Sequence, residues 1–570
     1  MGLLALAASQ AAHAGTAPYF HPLQQSAAVA PPNHVNELNS PWQTPGGISQ
    51  VNLTSMSEIE ADIEQSVQRV PAGRSSSMWD MLAYDPSGRY VFIPHETPFG
   101  AGLSRYDTET DTTELLFAGD QEASLTSLCD SQPLEAERDP TNPACPAWDF
   151  DFGAFDPARW TPNGTVILAE EWTALGRVVE ILDPLGPAPI DPTATPASED
   201  VSWRVLNSIA KVSHEGINFS LKHPNDVIYY IDEWRSGSIY KLVLKESGNY
   251  ALGGQTFVLS VDDFLPSGGD PSANWNEGPN ASATRFGPAT WVPITDADGN
   301  RLPGTLWDPF QDGPTADPRT QPLTRGGRGA ADEVGGTPFG RPEDMTIGLT
   351  PKGNEILYVT TTSEQAVISI EIESPPRYLK KGKSLVESGP EDETRALVRQ
   401  FASRETPKNL GFLPTTGQLD SPDNLAIDAL GNVYIIEDQP NRSDVGGDIW
   451  FARDMDSDGV AESLDHFMSI QVDGSESTGM IFHPTDPTRF VVAVQHPDST
   501  DLSEVPDGFG DAMWEFSLAG VVPPTCEGPR SEWHTFDRKL RKMVRACTKA
   551  RDFNFVDQLD SSGPVVPVNP

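Results

Sequence analysis

Basic residues are the first shortage: 39 lysines and arginines stand against 82 aspartates and glutamates, a formal net charge of -43 over 570 residues. A chain of that sign repels phosphodiester backbones and anionic membrane surfaces at long range, so nucleic acid is not expected as a partner. Cysteine is also scarce. The four present include no Cys-x-x-Cys and no nearby Cys/His grouping, which argues against a metal-thiolate site. They fall instead into two local pairs, Cys129 with Cys145 and Cys526 with Cys547, other pairings remaining open. Each closure would contribute about 3 kcal/mol in an oxidising compartment. Long apolar runs are missing, and nothing approaches the ~20 residues of a membrane span. No Gly-x-Ser-x-Gly elbow, P-loop or dinucleotide fingerprint occurs, so serine-hydrolase, nucleotide-hydrolase and Rossmann chemistry have no foothold.

What is present is turn chemistry. With 37% hydrophobic residues, 48 Gly and 52 Pro spread between short apolar runs, the chain favours many strands and long loops over helices. The expected class is all-β, in one large domain. At the start, Leu3 to Ala8 and then Ala12-His13-Ala14 resemble the rear of a signal peptide, without a preceding basic residue. This predicts an exported protein, periplasmic or extracellular.

A turn followed by a β-branched or aromatic strand recurs near Asp85, Thr161, His223, Thr350, Asp428 and His483. Six such units predict a six-bladed β-propeller with long loop insertions, in which each blade buries its faces against its neighbours. The expected layout is 1–14 signal remnant, 15–75 N-terminal extension, 76–520 propeller and 521–570 C-terminal extension. An insertion covers about 261–340, from which Trp291 to Ile294 and Thr305 to Trp307 are expected to return to the sheet. Residues 391–404 have helical composition, and residues 533–553 carry Leu540, Met543, Val544 and Cys547 at helical spacing, predicting a short C-terminal helix.

Acids stand where these strands begin or end. Glu170, Glu171, Asp232, Glu233 and Glu437 close strands, while Glu215, Glu343, Asp423 and Asn424 precede them. Oxygen donors converging from several blades suit a hard cation, and mutual repulsion raises their proton affinity until one binds. Any one of these acids alone reads as a solvated turn residue; recurrence in equivalent places makes the case. Arg341, followed by Pro342 and hence expected to be extended, offers a planar fork to an oxyanion. His214 is the candidate general base. A separate run, Asp454, Asp456 and Asp458 before Gly459, with Glu462 downstream, predicts a calcium-holding hairpin. Asp296 to Gly299 reads as a plain turn.

Taken in order, His95-Glu96 with Gly102, Thr161 to Thr165 leading to Glu170-Glu171, His214-Glu215 with Tyr230 to Glu233, Arg341 to Asp344, Pro422 to Ala426, and Thr478-Gly479-Met480 followed by Gln495-His496-Pro497 resemble the PhoX-type alkaline phosphatases. The resemblance implies a six-bladed propeller holding iron and calcium, where metal-bound oxygen and an arginine act on phosphate monoesters. It makes Glu215 and Glu343 metal-bridging carboxylates, Glu171 and Glu233 further ligands, and Arg341 the phosphate clamp. Ala169 stands where the family places an iron-ligating cysteine, and Asn163 replaces the usual Trp. The implied cofactor is therefore Ca2+ in preference to Fe3+. The expected substrate is a small phosphorylated molecule. Two other functions suit the same frame: a calcium-dependent lactonase or ester hydrolase, and a catalytically inactive, calcium-stabilised surface or assembly protein.

Overall fold

Tight turns set where one strand reverses onto the next. In the computed structural model the Asp85 N–H donates to the Tyr90 carbonyl (3.0 Å) and the Gly88 N–H to the Asp85 carbonyl (3.0 Å). Gly88 takes φ 76° there, in the left-handed region that excludes most side chains. The same pair of bonds forms at Thr161/Thr165 with Gly164, at Thr350/Asn354 with Gly353, and at Asp428/Asn432 with Gly431. Each turn reverses a strand onto its antiparallel neighbour. The structure describes residues 20–29, 38–63, 77–97, 99–121, 150–194, 202–310, 326–373, 378–381, 384–387, 394–429, 431–438, 445–454, 458–495, 497 and 508–521. The signal-like start, all four cysteines, the helical stretch 533–553, Asp456 and His496 lie outside them.

The fold is all-β and propeller-like, with two short α-helices among the described residues, α1 (Met56–Ile63) and α2 (Gly326–Val334). One four-stranded sheet runs from Ala83–Tyr84 to Thr112–Ala118, and a five-stranded sheet gathers Phe155–Trp160, Val166–Gly176, Val178–Ile181, Trp203–Val205 and Val212–Ser213. A second five-stranded sheet holds Pro422–Ile427, Val433–Glu437, Asp448–Arg453, Ser463–Ile470 and Trp42–Gln43. A further four-stranded sheet pairs Glu476–Phe482, Arg489–Gln495 and Ala512–Ser517 with Ser49–Ser55. Between them lies a nine-stranded sheet rather than two separate blades, because Arg395–Ser403 hydrogen-bonds to Gly287–Pro293 on one side and Ala366–Glu373 on the other.

That strand corrects the helical expectation for 391–404. Its burial alternates, Ala396 and Val398 inward and Leu397 and Arg399 outward, so long-range pairing overrides local helical preference. Trp291 to Pro293 do return to the sheet; Leu306 and Trp307 do not, their N–H groups being held by the Glu333 carboxylate. Asp296 to Gly299 is a turn, bridged by Thr295 and Arg301. The stretch 15–75, expected as an extension, supplies edge strands to two sheets.

Apolar clusters fill the spaces between consecutive sheets and continue around the ring. Phe92, Leu103, Phe155 and Val179 join the first sheet to the second. Ile167, Val178, Tyr230 and Leu242 join the second to the nine-stranded sheet, and Tyr229, Trp291, Leu357 and Ile368 pack within that sheet. Val367, Phe401, Ile435 and Trp450 lead to the next, then Tyr434, Phe467, Phe490 and Trp514. Trp79, Val91, Ile481 and Met513 return to the first sheet. The ring is closed by packing, and the inner strand ends converge on its axis.

Candidate active site at the mouth of the ring

One backbone device recurs at this mouth. The carbonyls of Met78, Ala154, Ser213, Arg341 and Ser421 each accept a hydrogen bond from the end of the following strand, at Glu96 (3.0 Å), Glu171 (2.8 Å), Glu233 (2.8 Å), Thr362 (3.1 Å) and Asp438 (2.9 Å). Two residues beyond each accepting carbonyl stands an acid: Asp80, Asp156, Glu215, Glu343 and Asp423. Five equivalent positions therefore aim carboxylates at one place. Met78, Ala154, Arg341 and Ser421 hold φ of 51°, 50°, 51° and 46°, a strained left-handed conformation for residues other than glycine. Arg341 is thus not extended as its following proline suggested; the bond from Thr362 fixes it otherwise.

The resulting cluster is buried and acid-rich. Asp80, Asp156, Glu215 and Glu343 are essentially enclosed, with Glu476 beside them. Oxygens of Glu215, Glu343 and Asp423 lie within 4.8 Å of one another, close enough to share an ion. Asp80 Oδ1, Asp156 Oδ1 and Glu215 Oε2 are buried without any hydrogen bond among the described residues, a costly state that a cation relieves. Burial first, and neighbouring carboxylates second, push Asp80, Asp156, Glu171, Glu215 and Asp423 well above the usual carboxylate range. Glu96 is pushed up to about 8 and Glu233 to about 7, the latter restrained by Arg341.

Arg341 is the positive group among them. Its Nε donates to Glu233 Oε1, and its Nη2 stands 3.3 Å from Glu343 Oε1. The guanidinium remains 37% exposed while Glu233 and Glu343 are 6% and 3% exposed, so the two acids hold it and leave an open face. Gln495 Nε2 donates to Glu96 Oε2 (2.9 Å). Asn424 spends its oxygen on the Gly479 N–H (2.6 Å) and its Nδ2 on Asp423 Oδ2 (3.0 Å), which orients that acid.

Several candidates stand apart from the cluster. Glu170 receives Arg177 through Nε (2.7 Å) and Nη2 (2.7 Å) and the Gly153 N–H (3.2 Å). Asp232 is bound by Arg328 of α2, Nε to Oδ2 at 2.6 Å, and by the Ser213 N–H. Glu437 accepts from the N–H groups of Asp420 and Asp448 and from Trp450 Nε1. These carboxylates are satisfied by protein donors and tie loops to strands. His214 is fully buried beside Tyr230, neutral because desolvation lowers it to about 3, and so unsuited to take a proton. Replacing Asp232 with alanine would remove the carboxylate that Arg328 engages through Nε and Nη2 in a fully buried setting. The expected cost is about 3–5 kcal/mol, seen as a lower denaturation midpoint.

The structure also brings Asp80, Asp156 and Glu476 to this mouth, which sequence reasoning did not single out, and Glu96, which it quoted within the family resemblance. The signal was available for two of them: Asp156 is the second residue of its strand, as Glu343 and Asp423 are of theirs, and Asp80 stands just before Ala83–Tyr84. Away from the mouth, Asp454, Asp458 and Glu462 group within 4.8 Å on the connection between Asp448–Arg453 and Ser463–Ile470, which pair as a hairpin. Asp454 accepts the N–H groups of Asp458 (3.1 Å) and Gly459 (2.8 Å). Ala169 is packed with Ile167, Val178 and Leu206 in an apolar cluster and offers the mouth no donor.

Comparison with known proteins agrees with this architecture. The solved structure of PhoX from Pseudomonas fluorescens, in complex with vanadate as a transition-state analogue, is similar with a TM-score of 0.50 and 15% identity, covering 88% of this chain and 98% of that one. A gluconolactonase from Xanthomonas campestris (TM-score 0.32, 11% identity, 88% and 97% covered) and a regucalcin from Agrobacterium tumefaciens (TM-score 0.27, 11% identity, 78% and 93% covered) are also similar. No relative was found among curated protein sequences. The model of the alkaline phosphatase PhoX family matches residues 189–498, more than half of the chain and including Glu215, Arg341, Glu343 and Asp423, and the chain therefore belongs to that family.

Proposed function

We propose that the mouth is the active site of a metal-dependent phosphomonoesterase, exported and using calcium. The observation that carries this reading is Arg341, held by Glu233 and Glu343 with an exposed face, beside buried carboxylate oxygens that lack partners. The donor set is all oxygen, as hard cations prefer, and it contains no sulfur for an iron–thiolate bond because Ala169 faces the core. Glu215, Glu343 and Asp423 are the proposed core ligands, with Glu171, Glu233, Asp80 and Asp156 completing the set; Glu170, Asp232 and Glu437 drop out. Asp454, Asp458 and Glu462 are read as a separate, structural calcium position. We read the ring as six blades, the nine-stranded sheet being two that fuse; the apolar clusters around the ring support this.

A cation bound there would polarise a phosphoryl oxygen and lower the pKa of a water. The chain's own groups do the rest. Arg341 binds the phosphate and stabilises charge that grows during the reaction, Glu233 and Glu343 fix its direction, and the strained carbonyl turns set the acids before substrate arrives. An arginine offering charge favours a dianionic phosphate over a neutral lactone, which sets the lactonase reading second.

The test is release of phosphate from p-nitrophenyl phosphate by purified protein with calcium, alone and with iron added. Turnover that falls at least about 100-fold in Glu343→Gln is expected. No turnover with either metal, once bound ions are confirmed, rejects the reading in favour of a calcium-stabilised scaffold.

A further inference from the structure

The rim next to Arg341 carries donors that find no acceptor among the described residues. Arg235 follows Trp234, whose carbonyl accepts the Arg341 N–H (3.1 Å), and the Arg235 carbonyl in turn accepts the Trp275 N–H (2.8 Å). Trp275 lies over Gly340: a Cβ at that position would come within 2.6 Å of its indole Nε1, so only glycine permits the approach. The indole is clamped from its other neighbours. Arg285 stands 5.2 Å from the ring centroid and is itself fixed by Glu364 through two bonds of 2.7 Å, while Glu364 also accepts the Gly340 N–H. The rim is therefore built onto the same backbone that carries Arg341.

Arg235 is exposed, and among the described residues its guanidinium has no carboxylate or carbonyl partner. The other described arginines all have one. In a chain of net charge -43 an unpaired arginine beside an acidic mouth is unusual. Trp275 Nε1 likewise finds no acceptor among the described residues. Two unfilled donors, one charged, sit one residue from the backbone that anchors the phosphate clamp.

Resting on the phosphomonoesterase reading, we infer that Arg235 and Trp275 form a leaving-group subsite that selects esters carrying a second phosphate. The reacting phosphate meets Arg341 and the acids; the second meets the Arg235 fork and the indole N–H. The Arg235 charge locally offsets the repulsion that the acidic surface imposes on an anionic substrate.

Calcium-loaded protein is titrated calorimetrically with glucose 1-phosphate and with glucose 1,6-bisphosphate, for the native chain, Arg235→Gln and Trp275→Phe. The native protein should bind the bisphosphate more tightly, and Arg235→Gln should shrink that preference about tenfold, with a smaller loss in Trp275→Phe. Circular dichroism confirms that each variant is folded, and kcat/KM for the two esters should show the same ratio change, carried by KM. An unchanged preference in Arg235→Gln overturns the subsite while leaving the phosphatase reading intact. Failure of the native protein to bind either ester overturns both.

Discussion

Replacing Arg341 with alanine should lower kcat/KM for p-nitrophenyl phosphate by about 100- to 1,000-fold in calcium-loaded protein, since it removes the charge that binds the phosphate and grows in value as the reaction proceeds. Lysine at the same position should recover part of the loss, because it restores charge without the fork that engages Glu233, Glu343 and ligand together. The effect is expected mostly in kcat/KM, measured over a substrate range that separates binding from turnover. A loss below tenfold would leave Arg341 as a bridge between carboxylates. Calcium loading matters in the experiment, because without cations the alanine variant also strips from Glu233 and Glu343 the guanidinium they share.

Stripping the metal should change the protein's response to pH in a direction opposite to ordinary acid denaturation. Glu96 sits at about 8 and Glu233 at about 7, against an unfolded value of 4.5, so the folded, metal-free protein holds protons that the unfolded chain gives up. Stability from these groups is complete below about pH 4.5 and is lost as pH rises to about 8. In excess chelator the melting temperature should therefore fall across that window, by about 3 °C for a few kcal/mol in a chain of this size. Calcium at 1,000 times its dissociation constant returns about 4 kcal/mol at neutral pH, and flattens the slope because cation and proton compete for the same oxygens. A melting temperature that rises with pH in chelator would mean that the carboxylates are solvated. Reading both curves by differential scanning calorimetry separates the proton effect from the metal effect.

The turns and the acids at strand starts were legible because their signals are local. Asp85 to Gly88 and Asp428 to Gly431 name their own geometry, and Glu343 and Asp423 precede apolar strands behind a proline. The paired acids were read too generously. Side chains alternate across a strand, so of Glu170 and Glu171 one faces the mouth and the other Arg177; of Asp232 and Glu233 one faces Arg328 and the other Arg341. Adjacent acids at a strand end therefore send one carboxylate to the mouth. The strand Arg395–Ser403 was hidden by its charged, alanine-bearing composition, and its place depends on partners about 30 and 100 residues away, which no local pattern encodes. His214 resembled a base because it adjoins Glu215, but alternation sends the ring inward against Tyr230.

Ser49–Ser55 completes the last sheet by pairing with Ala512–Ser517, so strands from distant parts of the sequence share one clasp. Until residue 517 has emerged, the early strand has nowhere to lie and the ring stays open. Assembly is consequently a late, all-or-nothing event with high contact order, and folding should be slow. The five acids at the mouth span residues 80 to 423, so most of the chain must be made before they can meet.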